Sequence, residues 1–507
     1  MSTQRRALLS VSDKTGLEGL GKGLAELGFE LVASGGTARR LQEAGLAVTA
    51  VETVTQAPEM LGGRVKTLHP AIHGGILARR TPEHLEELSQ HGLAPIDVVV
   101  CNLYPFAKTV AKEDVTDLEA IEQIDIGGVT LLRAAAKNFE SVAVICDPND
   151  YDAALDALGK EEDDAAWRRT MALKAFRHTA TYDAAIATWM GQGDNPEALP
   201  EALHLAANRV AVLRYGENPH QQGALFEWAG QQVPYKALQG KALSYNNLMD
   251  IDAAWASASS FETPAVAIIK HSNPCGLATG DDLMEVYQRA LASDPVSAFG
   301  SIIAINRPVD AAFVEALGKL FVEALVAPSF SGEALQWLAN RKKNCRVIEI
   351  QPHTKPSLVL RPILGGLLVQ TTDDAPTSEQ QWRVVTERQP TEGELESLRM
   401  AWEAVRHIKS NAIVFAHPGA TVGVGAGQMN RVDSVRLAAW RAGEKAQGSA
   451  MGSDAFFPFP DGIEAAAEAG VTAVIQPGGS IRDQKVIDAA NKLGLAMIFT
   501  GRRHFLH

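Results

Sequence analysis

The chain has 507 residues, 46% hydrophobic and 21% charged, enough for several cores and, at the usual ~100–200 residues each, for two to four domains. A formal net charge of −13 argues against a general nucleic-acid coat or a membrane-surface binder. Cys101, Cys146, Cys275 and Cys345 lie far apart without a C-x-x-C pair, which indicates neither a zinc knuckle nor a disulfide framework. No apolar run of signal-peptide length follows Arg5 and Arg6, and no run of 18 apolar residues occurs, so the expectation is a soluble, cytoplasmic protein.

From the N-terminus the pattern predicts a strand over 7–11, a helix over 15–27 and a strand over 29–33, an α/β alternation. The second strand runs into Ser34-Gly35-Gly36-Thr37, ahead of a helix over 38–44. Backbone amides in such a turn can cradle an anion, with the Ser34 and Thr37 hydroxyls as further donors. The P-loop Lys-Ser/Thr is missing, and tight turns and caps use the same residues. Residues 62–75 combine four glycines with Arg64, Lys66, His69 and His73, a composition for a ligand-binding loop. Pro70 and the flanking glycine pairs argue against a helix there, and hence against a metal-binding histidine pair; Arg64, Lys66 and Thr67 suit an anionic ligand.

A buried-type strand over 96–101 ends in Asn102-Leu103-Tyr104, at the strand end where open α/β sheets bind ligands. A helix over 117–123, the turn Ile124-Asp125-Ile126-Gly127-Gly128, a helix over 131–137 and a strand over 141–145 follow. Lys14, Ser34, Lys66, Tyr104, Asp125 and Lys137 thus fall in or beside loops at element ends. After helices over 153–158 and 165–191, the polar, proline-bearing stretch 192–203 marks the expected boundary between domains 1–195 and 203–507.

Beyond it, the stretch from Leu213 through Arg214 and Tyr215 to Gln222 reads as a binding loop, and residues 245–250 as the approach to a helix. Ala265-Val266-Ala267-Ile268-Ile269 reads as a strand covered on both faces, delivering Lys270-His271 to its tip, with Asn273, Pro274 and Gly276 as the turn. Adjacent strand residues face opposite ways, so Lys270 and His271 converge only where the strand has begun to turn; a solvated loop is the alternative. A helix over 287–292, strands over 301–305 and 412–415, and a helix over 398–409 come next. Gly423-Val424-Gly425-Ala426-Gly427 lacks a placed third glycine and is not the first βα turn of its domain, so a dinucleotide site is rejected. A strand over 471–476 ends in Pro477-Gly478-Gly479-Ser480, a polar turn comparable to that at Lys270-His271 and a hint of internal duplication.

Taken together these motifs resemble a known family. L-L-S-V-S-D-K-T-G from Leu8, S-G-G-T from Ser34, G-G-R-V-K-T-L-H-P from Gly62, C-N-L-Y-P-F from Cys101 and I-D-I-G-G from Ile124 carry the resemblance in the first part. In the second part it rests on L-R-Y-G-E-N-P-H-Q from Leu213, I-K-H-S-N-P-C-G from Ile269, S-A-F-G from Ser297, G-V-G-A-G-Q from Gly423, S-D-A-F-F-P-F from Ser453 and R-H-F from Arg503. They are similar to those of the bifunctional purine biosynthesis proteins, which join phosphoribosylaminoimidazolecarboxamide formyltransferase to IMP cyclohydrolase.

The resemblance implies an α/β fold: a methylglyoxal-synthase-like N-terminal domain, and a transformylase of two cytidine-deaminase-like α/β/α units without zinc, its site shared within a homodimer. It implies formyl transfer from 10-formyltetrahydrofolate, a cosubstrate and not a tightly bound cofactor, to the 5-amino group of aminoimidazole carboxamide ribotide, then dehydrative closure to IMP. The partners would be small molecules, with no nucleic acid, membrane or metal. Lys270, His271 and Asn411 would carry formyl transfer; Arg214, Tyr215, Gly300, Glu323, Arg431, Phe456 and Arg503 would hold the nucleotide, with Ser480 towards the folate. For ring closure, Ser12, Lys14, Ser34, Gly35, Gly36, Thr37, Arg64, Thr67, Asn102 and Gly127 would hold the ribotide, and Lys66, Tyr104, Asp125 and Lys137 would supply acid, base and oxyanion contacts.

The chemistry calls for such groups. The 5-amino group is conjugated with its ring and carboxamide and needs a base, and histidine, with an ordinary pKa near ~6.5, can take that proton near neutral pH. Lys270 and Asn411 could stabilise the oxyanion, where losing one donor typically costs ~2.7–4 kcal/mol. Ring closure is intramolecular and rests largely on orientation. A silent nucleotide-binding protein that kept the fold would lose Lys270, His271 or Asp125, and all three are present; a monofunctional cyclohydrolase with a structural C-terminal half is opposed by the intact set Lys270, His271 and Asn411.

Overall fold

A computed structural model describes residues 4–507 apart from 59, 62–63, 113, 161–163, 192–197, 353–357 and 375–377. Gly62 and Gly63 of the glycine-rich motif, and residues 192–197 of the expected boundary, therefore lie outside the described residues. The chain divides into two compact units, Met1–Asn208 with Trp228–Gln231, and Arg209–Glu227 with Gln232–His507.

In the first unit β1 (Arg6–Val11), β2 (Glu30–Ala33), β3 (Val48–Ala50), β4 (Val98–Asn102) and β5 (Ala143–Ile145) form a parallel sheet in the order β3-β2-β1-β4-β5. Leu8, Val99 and Val144 pack with the helices Pro70–Leu77, Gly127–Lys137 and Ala165–Met190. The alternate residues Leu9, Val98 and Val100 pack with Leu17–Glu26 and Tyr151–Leu158. Helices on both faces explain why these strands are continuous apolar runs. Strand order reverses between β1 and β4, which opens a crevice at the carboxyl ends of the strands.

The expectation of a loop around Pro70 is corrected. Pro70 opens a helix, Pro70–Leu77, at a position that needs no N–H, and His69 Nδ1 caps it by accepting from Ala71 N at 3.1 Å. Gly75 lies inside that helix because a Cβ there would stand 2.7 Å from Ala94 O.

Next in the chain, β6 (Ala207–Leu213) pairs with β7 (Gly223–Trp228). The second unit then contributes β8 (Tyr235–Gln239), β9 (Ala265–Lys270), β10 (Asn273–Thr279), β11 (Ser301–Ile305), β12 (Val322–Ala327) and β13 (Arg346–Ile350). A separate hairpin, β14 (Leu358–Ile363) and β15 (Gly366–Thr371), precedes β16 (Arg383–Val384), β17 (Ile413–His417), β18 (Ala420–Gly425), β19 (Ala450–Ser453), β20 (Ala473–Gln476) and β21 (Ala496–Phe499). Twelve of these strands form one sheet, β16-β21-β20-β19-β17-β18-β10-β9-β11-β12-β13-β8.

The sheet is duplicated about the β18–β10 pair. Each half has an antiparallel hairpin (β9–β10 or β17–β18), an antiparallel neighbour (β11 or β19), two parallel strands and an antiparallel edge. The duplication expected from the sequence exists, but in another register. The counterpart of β9 is β17, and Pro477–Ser480 after β20 corresponds to Pro328-Ser329 after β12. Helices Tyr245–Ser259 and Glu392–Val405 cover one face with a shared core that includes Ala267, Ile269, Trp402 and Val414. The opposite face packs Val266 and Ile268 in one half and Phe415 and Met451 in the other. Strand β9 is thus buried on both sides, as its composition predicts.

One further reading changes. Asn273, Pro274 and Gly276 are not the turn after β9 but residues of β10, with a register shift between Pro274 and Gly276. Gly276 is needed because a Cβ there would meet Ala290 O at 1.9 Å. Similarly Gly423 and Gly425 lie in β18 against the helix Arg431–Ala442, where Cβ atoms would stand 2.3 Å from Ala438 O and 1.9 Å from Ser434 O. These glycines serve close helix-to-strand packing.

Candidate functional sites

At the carboxyl end of the first sheet, Gly35, Gly36 and Thr37 form the first turn of the helix Gly35–Glu43, with Ser34 as its N-cap residue. A Cβ on Gly35 would lie 3.3 Å from Lys66 Nζ, and one on Gly36 would lie 3.5 Å from Lys14 Nζ. Two ammonium groups therefore stand over a helix N-terminus whose own amides favour an anion. Thr67 Oγ1 stands at 3.2 Å from the Cβ position of Gly127, at the start of the next helix.

Asp125 is anchored beside this cradle: Gly128 N donates to its Oδ1 at 2.7 Å, and its own N donates to Tyr182 Oη at 2.8 Å. Burial pushes its carboxyl above the ordinary range, partly offset by the amides of Gly128 and Tyr104. Tyr104 follows β4 and is exposed. Arg64 is paired with Glu122.

Other expected residues have structural work. Asn102 Oδ1 accepts from Ser12 N (2.6 Å) and Asp13 N (2.9 Å), and its Nδ2 donates to Asp13 O, so it shapes the β1 turn. Thr37 Oγ1 accepts from Val11 N and donates to Val11 O. Lys137 is not brought to this end of the sheet. It closes the helix Gly127–Lys137, about 15 Å along the axis from Gly127 at the usual rise per residue.

In the second unit β9 and β10 are joined by a two-residue turn, His271-Ser272, with φ of 53° and 58°. Positive φ at both positions matches the strand twist but strains residues other than glycine. Asp250 of the helix Tyr245–Ser259 holds the turn by accepting from Ser272 N at 2.7 Å. The turn exposes His271, while Lys270 Nζ donates to Phe299 O at 2.8 Å. Lys270 and His271 line a cavity of about 240 Å³ with Cys275, Asp294, Ser297 and Arg441. Burial pushes the Cys275 thiol up to about 12, which keeps it protonated at neutral pH.

Strand directions bring further expected residues to the same sheet end. Gly300 precedes β11 and Glu323 is the second residue of β12, where it pairs with Arg346 at 2.5 Å. Arg214 lies over the Tyr215 ring, and Asn246, in the helix that carries Asp250, donates to Glu217 O in that loop. Lys409 N donates to Asn273 Oδ1 at 3.1 Å, so the residues leading to Asn411 lie against the His271 hairpin.

Asn411 lines a second cavity, of about 550 Å³, with Arg431, Phe456 and Arg503. Met429, Phe459, Asp461 and Phe505 also line it and were not singled out from sequence; Phe459 lay within the quoted S-D-A-F-F-P-F motif, but nothing local distinguished it from its neighbours. Ser480 is held by Asp483, whose Oδ1 accepts from Ser480 N at 3.1 Å, and is absent from that lining. Among the described residues no helix is long and apolar enough to cross a membrane.

Two α/β units, each gathering basic and acid/base side chains at one sheet end, define an enzyme acting on anionic small molecules. A family model described as AICARFT/IMPCHase bienzyme matches residues 135–441, and one described as MGS-like domain matches residues 16–130. The chain is 53% identical to the bifunctional purine biosynthesis protein PurH of Chloroflexus aurantiacus over 511 residues, 99% of this chain and 98% of that protein. It is 51% identical to PurH of Desulfitobacterium hafniense over 518 residues and 52% identical to PurH of Nostoc punctiforme over 513, each match covering 99% of this chain and all of the relative. The crystal structure of ForH is similar at 39% identity over 37% of this chain and all of that chain, with a TM-score of 0.34. The chain belongs to the AICARFT/IMPCHase bienzyme family. It is a bifunctional formyltransferase and cyclohydrolase of purine biosynthesis, acting on small molecules with a folate-type cosubstrate.

Proposed function

We propose that the two activities divide between the two units: residues 1–195 close the ring and residues 203–507 transfer the formyl group. The observation that carries this is the separate gathering of chemistry at each sheet end, Lys14 and Lys66 over one helix N-terminus and Lys270-His271 beside the approach to Asn411.

In formyl transfer from 10-formyltetrahydrofolate, the ribotide 5-amino nitrogen attacks the formyl carbon while His271 takes its proton. Lys270 and Asn411 donate to the oxyanion. The bond to folate N10 then breaks, and N10 leaves with a proton. In closure, the carboxamide nitrogen attacks the new formyl carbon and water departs. Lys14, the Ser34–Thr37 amides, Arg64 and Thr67 hold the phosphate end, and Asp125, Lys66 and Tyr104 act at the reacting groups. Lys137, at the far end of its helix, is supported only by the family pattern.

The folate is a cosubstrate that dissociates each turn. Exposed Val359, Ile363, Leu364, Leu367 and Leu368 on the β14–β15 hairpin support a homodimer, because an isolated two-stranded sheet is marginal alone. Four free, buried cysteines support a reducing cytoplasm. The test is to express residues 1–195 alone and supply formylated ribotide. IMP formation by the fragment is expected; a folded fragment without activity, beside an active full chain, overturns the division.

A further inference from the structure

Behind Asn411 lies a charged network whose carboxylate, that of Asp454, the two reactions as described do not use. Asp454, the residue after β19, has no exposed surface, and Arg431 is 7% exposed. Arg431 Nη1 pairs with Asp454 Oδ1 and donates to Ser453 Oγ at 2.9 Å; Arg431 Nη2 donates to Asn411 Oδ1 at 2.7 Å. The other carboxylate oxygen accepts from Ser410 Oγ at 2.6 Å. Backbone bonds join the same residue to both neighbours: Asp454 N donates to Ala412 O, and His504 N donates to Asp454 O at 2.9 Å.

The arrangement decides which way the Asn411 amide points. Its oxygen faces Arg431, which has only donors, so the nitrogen must face the other way, where it donates to Gln428 O at 2.8 Å. One Nδ2 hydrogen is used there and one remains. Ser434 Oγ and Gln428 O fix the Asn411 backbone as well. Without Asp454, Arg431 would be a buried, uncompensated cation free to take another rotamer, and the Asn411 amide would lose the contact that sets its orientation.

We infer that Asp454 is a positioning residue for formyl transfer, clamping Arg431 so that Arg431 turns the Asn411 amide with its free N–H towards the cavity. The clamp extends to the C-terminal tail: the bond to His504 N sets the residue after Arg503, and Leu506 N donates to Ser410 Oγ at 3.1 Å. Asp454 thus holds two walls of the 550 Å³ cavity, Arg431 and Asn411 through its carboxylate and the tail through its backbone carbonyl and Ser410. The inference rests on the proposed role of Asn411 in formyl transfer.

The test measures formyl transfer on the full-length enzyme with the carboxamide ribotide and 10-formyltetrahydrofolate, per folded site. Asp454→Asn should lower kcat ~10²-fold, the scale of a misplaced reacting group. Combined with Asn411→Ala it should be no slower than Asn411→Ala alone, since groups acting as a unit are not additive. A purely structural role would lower the melting temperature and leave kcat per folded site unchanged, and a loss of kcat that multiplied with that of Asn411→Ala would mean that Asp454 does not act through Asn411; either result overturns the inference. Normal kcat in Asn411→Ala would overturn the reading of the site and the clamp with it, whereas a slow Asn411→Ala beside a normal Asp454→Asn overturns the clamp alone. Should Asp454→Asn not fold, Ser410→Ala decides. It removes one bond to the carboxylate and should lower kcat about tenfold, and an unchanged kcat overturns the clamp.

Discussion

Asp250 holds Ser272 by two bonds, accepting from its backbone N at 2.7 Å and from its Oγ at 3.3 Å. Ser272 is the second residue of the turn whose first is His271, and both have positive φ. Non-glycine residues in that region cost of order 1–3 kcal/mol each, so the turn persists because its surroundings demand it. Asp250→Ala should release it and lower formyl transfer about 10- to 100-fold, with ring closure of supplied formylated ribotide unchanged. Ser272→Gly keeps the amide bond and relieves the strain, and should stay near the wild-type rate. Equal losses in the two variants would show that the hydroxyl, not the turn geometry, matters.

His271→Ala should remove formyl transfer, by ~10²–10⁴ in rate for a lost general base, and leave ring closure intact. Lys270→Ala,His271→Ala should be little slower than the worse single variant if the pair acts as a unit. Normal turnover with a raised KM for the ribotide would instead make His271 a binding residue and move the base elsewhere.

Lys66 stands over the helix N-terminus at Gly35. Lys66→Ala should stall the sequence after formyl transfer, so that formylated ribotide accumulates when both substrates are supplied. The check is single-turnover chromatography at saturating substrate, and unchanged IMP output would remove Lys66 from the reaction.

Asp125 gives ring closure a pH dependence of definite sign. Burial holds its carboxyl above the ordinary 3.8, so the residue stays protonated to higher pH than an exposed aspartate. If its ionised form assists the carboxamide, the closure rate rises with pH through a midpoint above 3.8 and falls on acidification. Asp125→Asn should be slow and lack that limb. A wild-type profile flat down to the ordinary aspartate range would exclude the role.

What the amino-acid order determined by itself is what depends on neighbours in the chain. Apolar runs such as Ala265 to Ile269 demand burial on both faces, their alternation with amphipathic stretches demands an α/β fold, and the polar clusters after strands mark the ends where chemistry gathers. The family motifs at Ser34, Gly62, Lys270 and Ser453 were legible for the same reason. Tertiary structure decided the rest, because glycine and proline allow several local conformations and only a distant contact selects one. Gly276 and Gly425 are strand residues because Ala290 and Ser434 approach them, and Pro70 starts a helix where it could have ended one. Lys137 shares a sequence neighbourhood with Asp125, yet eleven residues of helix carry it to the other end of the sheet. The Arg431–Asp454 pair, which orients Asn411, joins residues 23 apart on different elements, and no local periodicity records an ion pair formed when a helix packs on a sheet.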